Sequence, residues 1–429
     1  MRRLAILALI ALALPPAALA QSAPEAPAAR TALETRADQV VALLNAKIEP
    51  AEIFTDGFRA AVADDQIRTL SASFTAQFGR AVEVALLNPR DGTRAALEIR
   101  FERGLAKGGI AIAPGEDNRI NELRFTSIDA VAVADDTPAA IAAELTALPG
   151  TVNAWFGPLG GTPLISRNAD TPLALGSAFK LYVLAALAED VKAGRRKWTD
   201  VVPLTEKSFP SGQMQDWPEG SPVTLHTLAS MMISISDNTA TDQLIATLGE
   251  WRILKLMEDS GHADWKRNMP FLTTRQLFVM KASGEALMNE WRQGTPAARA
   301  AIERRLAAAN PSLDEVNAAF AQGPKAIDIE WFATPADLAR LMAHMRKTAD
   351  PKAFDIMAIN PTATPAIKAN WRYIGYKGGS EPGVINLTWL LTDTAGRDWV
   401  LTLGWNNAAA VVDDGKFLAL AQRILLLPR

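Results

Sequence analysis

Hydrophobic spacing changes twice along this chain. From Thr35 to Gly79 the apolar positions recur at helical intervals, with Val40, Val41, Leu43 and Leu44 in one stretch and Ile67, Leu70, Phe74 and Phe78 in another. Strand patterning follows. Ala81 to Leu87 and Arg94 to Phe101 flank Asn88-Pro89-Arg90-Asp91-Gly92, a hairpin turn signal, and Gly109 to Ala113 and Ile120 to Phe125 add two short strands. Helices followed by antiparallel strands predict a small α+β domain over residues 35–126. Ser127 to Thr137 reads as a polar joint. Beyond it, Ala139 to Leu148 predicts a helix closed by Pro149-Gly150, and Val152 to Leu159 and Pro163 to Arg167 predict strands around a Gly160-Gly161 turn. A mainly helical region runs from Ser177 to about Lys347; strands at Ile385 to Leu391 and Trp399 to Trp405 and a closing helix from Phe417 to Leu427 complete the pattern. A sheet assembled from both ends of residues 138–429, with helices inserted between, leaves a cleft where the two meet.

The first residues are patterned differently. Arg2 and Arg3 precede an unbroken apolar run from Leu4 to Leu14, then Pro15-Pro16 and a small-x-small sequence, Ala18-Leu19-Ala20. A membrane-spanning helix needs ~20 apolar residues, so this run predicts a cleaved secretory signal peptide over residues 1–20, not a stable membrane insertion. Residues 21–34, rich at first in Ala and Pro, read as a flexible lead-in. The expected location is periplasmic or secreted. The 429 residues contain no cysteine, which removes thiol catalysis, thiolate metal sites, disulfides and a lipidated N-terminal cysteine. Formal net charge is −3 and no basic or basic-aromatic run stands out, so nucleic acid is not an expected partner. His226, His262 and His344 are scattered without a second ligand at metal spacing, and His226 reads as a packing residue; neither metal nor cofactor is expected.

Three polar clusters interrupt this patterning. Ser177-Ala178-Phe179-Lys180 opens a helix that is otherwise apolar all round, and such a helix is buried. Ser177 and Lys180 are three apart and share a face, and burial disfavours the charged lysine. A partly neutral lysine beside a serine can take its proton, which is what nucleophilic attack near neutral pH requires. Ser236-Asp237-Asn238 lies between two helical stretches, with Ser236 suited to relay a proton, Asn238 to grip a substrate amide and Asp237 to cap the following helix. Lys377-Gly378-Gly379-Ser380 ends a strand-like stretch; Lys377 would hold a substrate carboxylate, and the small residues would let substrate lie along an edge strand. The N–H groups of Ser177 and Ser380 would form an oxyanion hole. Taken singly, the clusters are also explained as a serine cap with a snorkelling lysine, a helix cap and a Lys-Gly-Gly turn. Their joint order and setting favour a serine acyl hydrolase, with Ser177, Lys180 and Ser236 catalytic and Asn238, Lys377, Gly378, Gly379 and Ser380 substrate-binding.

At these residues, together with Ser221-Pro222-Val223-Thr224 and Ala333-Thr334-Pro335, the chain resembles the penicillin-recognising serine hydrolases, specifically the class A β-lactamase fold, over roughly Pro138 to Arg429. The resemblance implies that Ser177 is acylated, Lys180 is a base, Ser236 relays protons, Asn238 binds substrate, and Lys377 and Ser380 take the lysine and oxyanion roles. Two departures stand out. Gly378 occupies a position where that family usually has Thr or Ser. The family's deacylating glutamate has no counterpart in Asn268-Met269-Pro270-Phe271-Leu272-Thr273-Thr274. The N-terminal pattern resembles a cone-shaped steroid-isomerase-like fold. With Pro270-Phe271-Leu272-Thr273-Thr274-Arg275 and Lys377-Gly378-Gly379-Ser380-Glu381-Pro382-Gly383, it makes the whole similar to the two-domain serine hydrolases of clavulanic acid gene clusters and their mycobacterial lipoprotein relatives.

Three functions are consistent with these residues. One is an esterase or amidase with slow β-lactam turnover, the second a D-Ala-D-Ala carboxypeptidase acting on a peptidoglycan-like substrate, the third a non-enzymatic β-lactam or peptidoglycan-binding module.

Overall fold

The computed structural model describes residues 30–131, 135–309, 311–321 and 323–429. The expected signal peptide and residues 21–29 of the expected lead-in lie outside the described residues. The first helix, Ala32–Leu44, begins three residues inside that expected lead-in. Its start is fixed by a capping box: the Thr31 hydroxyl accepts from Glu34 N at 3.2 Å while the Glu34 carboxylate accepts from Thr31 N at 2.7 Å. With Asp64–Phe78 this helix covers a four-stranded antiparallel sheet whose strands, Ala81–Pro89, Arg94–Phe101, Gly104–Ala113 and Arg119–Ala130, pair in sequence order. Alternate residues of the second strand, Ala95, Leu97, Ile99 and Phe101, face Ala37, Val40 and Leu44 in one apolar cluster. Two strands are longer than their patterns suggest. The third starts at Gly104, because Gly104, Gly108 and Gly109 carry no side chain to reveal alternation, and Gly108 sits where a Cβ would strike the Arg124 carbonyl of the neighbouring strand. The fourth runs four residues past 126, to Ala130, whose N–H donates to Gln422 Oε1 at 3.1 Å.

The remainder is built on a five-stranded antiparallel sheet in the order Tyr373–Glu381, Val384–Thr392, Asp398–Asn406, Thr151–Pro158, Ile165–Arg167. Strands from both ends of the segment therefore lie side by side, as their patterning implies. Val384–Thr392 and Asp398–Asn406 are apolar on both faces because both are covered. On one face lies the closing helix Asp414–Leu426, with Phe417, Ile424 and Leu425 packed near Trp371 and Trp389. On the other lies the helical region, centred on Lys180–Lys192, in which ten of thirteen residues are buried. No helix among the described residues is long and apolar enough to cross a membrane.

The closing helix also ties the two sheets together. Ala419 joins the apolar cluster of the N-terminal sheet. Arg423, its side chain 7% exposed, bonds both Asp136 and Glu144 in the connection between the sheets. Removing one partner of a buried ion cluster strands the others, at a typical cost of ~3–5 kcal/mol. Arg423→Ala is expected to lower unfolding free energy by about that amount, read by denaturant titration, with loss of cooperativity between near-UV and far-UV signals.

Candidate active site

The chain reaches Ser177 through a left-handed residue, Gly176, at φ +48°. Ser177 does not head the α-helix directly. It lies in a 3-10 turn, Gly176–Phe179, and the α-helix proper starts at Lys180. The turn is pressed against the edge strand Tyr373–Glu381, which continues through the whole Lys377-Gly378-Gly379-Ser380 segment. Gly379 makes that approach possible, since a Cβ there would collide with the backbone N of Ser177 and the carbonyl of Leu175. The Gly176 Cα, in turn, faces Ser380 N: a Cβ would come within 3.1 Å of it. The backbone donors of Ser177 and Ser380 are thus held side by side at one end of a cleft.

That cleft is a cavity of about 500 Å³ lined by Ser177, Ser236, Asn238, Lys377, Gly378, Gly379 and Ser380 together with Tyr376, Asn360, Asp414 and apolar side chains including Phe278 and Leu418. All the sequence-predicted site residues except Lys180 line it. Lys180 lies beneath, fully buried, and its Nζ reaches Ser236 O at 2.8 Å, Ser236 Oγ at 3.1 Å and Asn238 Oδ1 at 2.6 Å. Neither Ser177 Oγ nor a carboxylate is among its hydrogen-bond partners. Burial holds its pKa well below the ordinary lysine value; Lys377 adds to the depression, and Asp242 and Asp237 act against it. A neutral amine donates two hydrogens and accepts one, so it can donate to Ser236 O and Asn238 Oδ1 and still accept from a serine hydroxyl.

Ser236 is held in a left-handed conformation, φ +59°, uncommon for a residue with a Cβ. The following residue fixes it. Asp237 caps the helix Asn238–Leu248 by accepting from Ala240 N at 2.8 Å, and its other oxygen accepts from Gln213 N and Met214 N. Asp237 is structural, as its capping chemistry implies.

Two expectations change. Asn238, expected to grip a substrate amide, has both ends of its side chain engaged within the protein: Oδ1 by Lys180, and Nδ2 donating to Phe209 O at 2.9 Å. At 2% exposure it forms wall more than reach. Lys377, expected to hold a carboxylate, is 4% exposed and donates to the carbonyl of Gly378 beside it. Burial brings its pKa down to about 7, so near neutrality it is only half charged. Gly378 lacks a hydroxyl because Tyr376 has taken the space; a Cβ at 378 would strike the Tyr376 phenol.

Sequence reading missed two features. One is Asp414, first-turn residue of the closing helix, which lines the cavity with Ser380 and whose carboxyl burial pushes up from the usual carboxylate range. The helix was legible, but nothing in a lone Asp-Asp pair says which sheet end it meets. The other is a buried cluster outside the cavity, in which Lys281 donates to Glu330 at 2.6 Å and to Glu381. Burial pushes the Glu381 carboxyl up from the usual carboxylate range, against the pull of Lys281. Burial pulls Lys281 down, but the two glutamates more than offset it and keep it charged. Among the described residues no group of histidines and carboxylates is arranged to hold a metal.

The chain matches the β-lactamase enzyme family over residues 137–416. Similar solved structures include the β-lactamase from Sphaerobacter thermophilus DSM 20745 (22% identity, TM-score 0.47, covering 67% of this chain and 94% of that one). PBP-A (18% identity, TM-score 0.46, covering 67% and 94%) and a β-lactamase from Chitinophaga pinensis DSM 2588 (16% identity, TM-score 0.45, covering 67% and 95%) are others. No curated protein matches the chain.

The folded Lys377 titrates near 7 against 10.5 for the free side chain, so between those values the unfolded chain holds a proton that the folded protein has shed. Stability from this group therefore rises with pH across that window, and the penalty is largest below pH 7. Lys377→Met is expected to raise the melting temperature by a few degrees. By scanning calorimetry the gain should be greater at pH 6 than at pH 9.

Proposed function

The chain belongs to the β-lactamase enzyme family, and from that premise we propose that it is an exported serine hydrolase that cleaves esters or β-lactams through an acyl-enzyme on Ser177. The observation that carries the reading is the convergence of Ser177, Ser236 and Ser380 on one cavity with the depressed amine of Lys180 directly beneath it. Lys180 serves as the base for Ser177, whose Oγ then attacks the substrate carbonyl carbon. The N–H groups of Ser177 and Ser380 bind the resulting oxyanion. Collapse breaks the bond to the leaving group, which takes its proton from Lys180 through the Ser236 hydroxyl, 3.1 Å from Nζ. Apo hydrogen bonds at such sites commonly tighten only with substrate bound, so the absence of a direct Lys180–Ser177 bond does not count against the amine.

Deacylation is the slow half. The stretch 268–274 carries no acid, and the nearby Glu250 carboxylate is occupied by Phe271 N at 3.1 Å. Glu330 and Glu381 are bound to Lys281 and do not line the cavity. The engagement of Lys377 with its own backbone leaves a substrate carboxylate without a free cation in the cavity, which disfavours the D-Ala-D-Ala carboxypeptidase reading and makes penicillins slow substrates at best. A non-enzymatic binding module has no need of a buried depressed lysine.

The wider assignment rests on pattern. The apolar run at residues 4–14 supports export to the periplasm or beyond. A four-stranded antiparallel sheet covered by helices supports a steroid-isomerase-like N-terminal domain over about residues 35–126, ahead of the hydrolase domain at 138–429. Together with the missing loop glutamate, this supports kinship with the two-domain serine hydrolases of clavulanic acid gene clusters.

Intact-protein mass spectrometry tests the core of the proposal. Benzylpenicillin or a fluorophosphonate should add one adduct on Ser177 that Ser177→Ala abolishes; an adduct surviving that substitution overturns the assignment. Lys180→Ala should slow acylation by ~10²–10⁴-fold, the usual worth of a general base. With benzylpenicillin, product should appear as a burst followed by slow turnover, whereas rapid turnover without a burst would show that an unassigned group activates the deacylating water.

A further inference from the structure

The charges that line the cavity are few. Of its ionisable side chains only Lys377 and Asp414 are ordinarily charged near neutral pH, and they differ in what they offer a ligand. The Lys377 ammonium is turned onto the Gly378 carbonyl and almost wholly covered. Asp414 stands at the exposed rim, on the first turn of the closing helix, and lines the cavity together with Ser380.

The strand pairing explains what lies between them. Gly378 pairs with Leu387 and Ser380 with Ile385, and directly cross-strand residues share a face. That face presents Leu387 and Ile385, the Tyr376 phenol in the space a residue-378 side chain would have filled, and Leu418 one turn beyond Asp414. Burial raises the Tyr376 pKa, so the phenol stays neutral. No arginine lines this end. A substrate group lying along Gly378-Gly379-Ser380 therefore meets aliphatic carbons, two hydroxyls and one carboxylate, a surface that repels an anion and accepts a cation or a donor.

Resting on the hydrolase reading above, we propose that Asp414 is a specificity-determining residue, and that the preferred substrates are neutral or cationic esters and amides, not carboxylate-bearing ones such as penicillins. The carboxylate would face the substrate from the same strand end that supplies the oxyanion N–H, so it acts on binding and on orientation together. Because Asp414 is at the rim, its influence is long-range electrostatics and weakens with salt.

The test uses three esters of one acyl group: a choline ester, its uncharged 3,3-dimethylbutyl isostere, and an ester of matched size bearing a carboxylate. In the full-length protein at low salt, kcat/KM should fall from the cationic to the neutral to the anionic ester, with about tenfold between the extremes. That spread should shrink in 0.5 M salt, vanish in Asp414→Asn and invert in Asp414→Lys, mainly through KM. Mass spectrometry of the same incubations follows the Ser177 adduct. Adducts formed without this charge order, or an order that survives Asp414→Asn, overturn the specificity role and leave the hydrolase reading standing. If no ester modifies Ser177, both fall together.

Discussion

An amine buried without a carboxylate partner is the constraint around which this site is organised. Lys180 sits in a helix that is apolar on every side, and three oxygens, two from Ser236 and one from Asn238, are all that replace its water. Stabilising it as an ammonium would take a counter-ion, and Asp242 and Asp237 act only from a distance. Burial in this helix therefore disfavours the charged form of Lys180, at the expense of stability. Other features follow from the same requirement. Ser236 adopts its left-handed backbone so that carbonyl and hydroxyl both turn toward Nζ, and Asp237 spends its carboxylate on three backbone N–H groups to keep that loop in place. Asn238 gives up its reach to close the third side.

A second close approach completes the arrangement. The turn carrying Ser177 and the edge strand carrying Ser380 touch backbone to backbone, which Gly176 and Gly379 alone permit. Two glycines set how closely the backbone N–H groups of Ser177 and Ser380 approach one another. The strand is at the sheet edge, so its outer side has no strand partner among the described residues.

Motif spacing and helical periodicity made much of this legible. Ser177, Ser236 and Ser380 come from three distant segments, yet each sits beside a signature of its own: an apolar helix, a helix cap, a Lys-Gly-Gly run. The chain order of the strands and the closing helix could likewise be read from apolar runs bounded by turn residues. Less legible was direction. Sequence places Asn238 and Lys377 near a site but cannot say that one turns to Lys180 and the other onto its neighbour's carbonyl, since both depend on burial decided by distant elements. The glycine-rich start at Gly104 hid a strand because pattern needs side chains, and the 3-10 turn at Ser177 looks like helix in any periodicity. Asp414 and the Lys281 cluster were invisible for another reason: their partners lie on strands and helices far away in sequence, and no local rule joins them.

The segment 268–274 carries no acid and is given to packing. Phe271 meets Phe179 edge-on at 5.8 Å, and Trp331, whose indole donates to Leu272 O, stacks on the same ring at 3.7 Å. Phe179 lies between Ser177 and Lys180, so these two rings brace the turn that carries both residues. Nearby, two further carboxylates are engaged structurally: Glu330 and Glu381 share one buried lysine, Lys281. Unprotonated and unpaired, either carboxylate would be costly at that depth. The long helical insertion between Lys281 and Glu330 thus begins and ends in an ion cluster anchored to the residue after Ser380. Its ends are thereby tied to the strand that carries Ser380, and the 268–274 corner of the fold is used to hold the Ser177 turn in place.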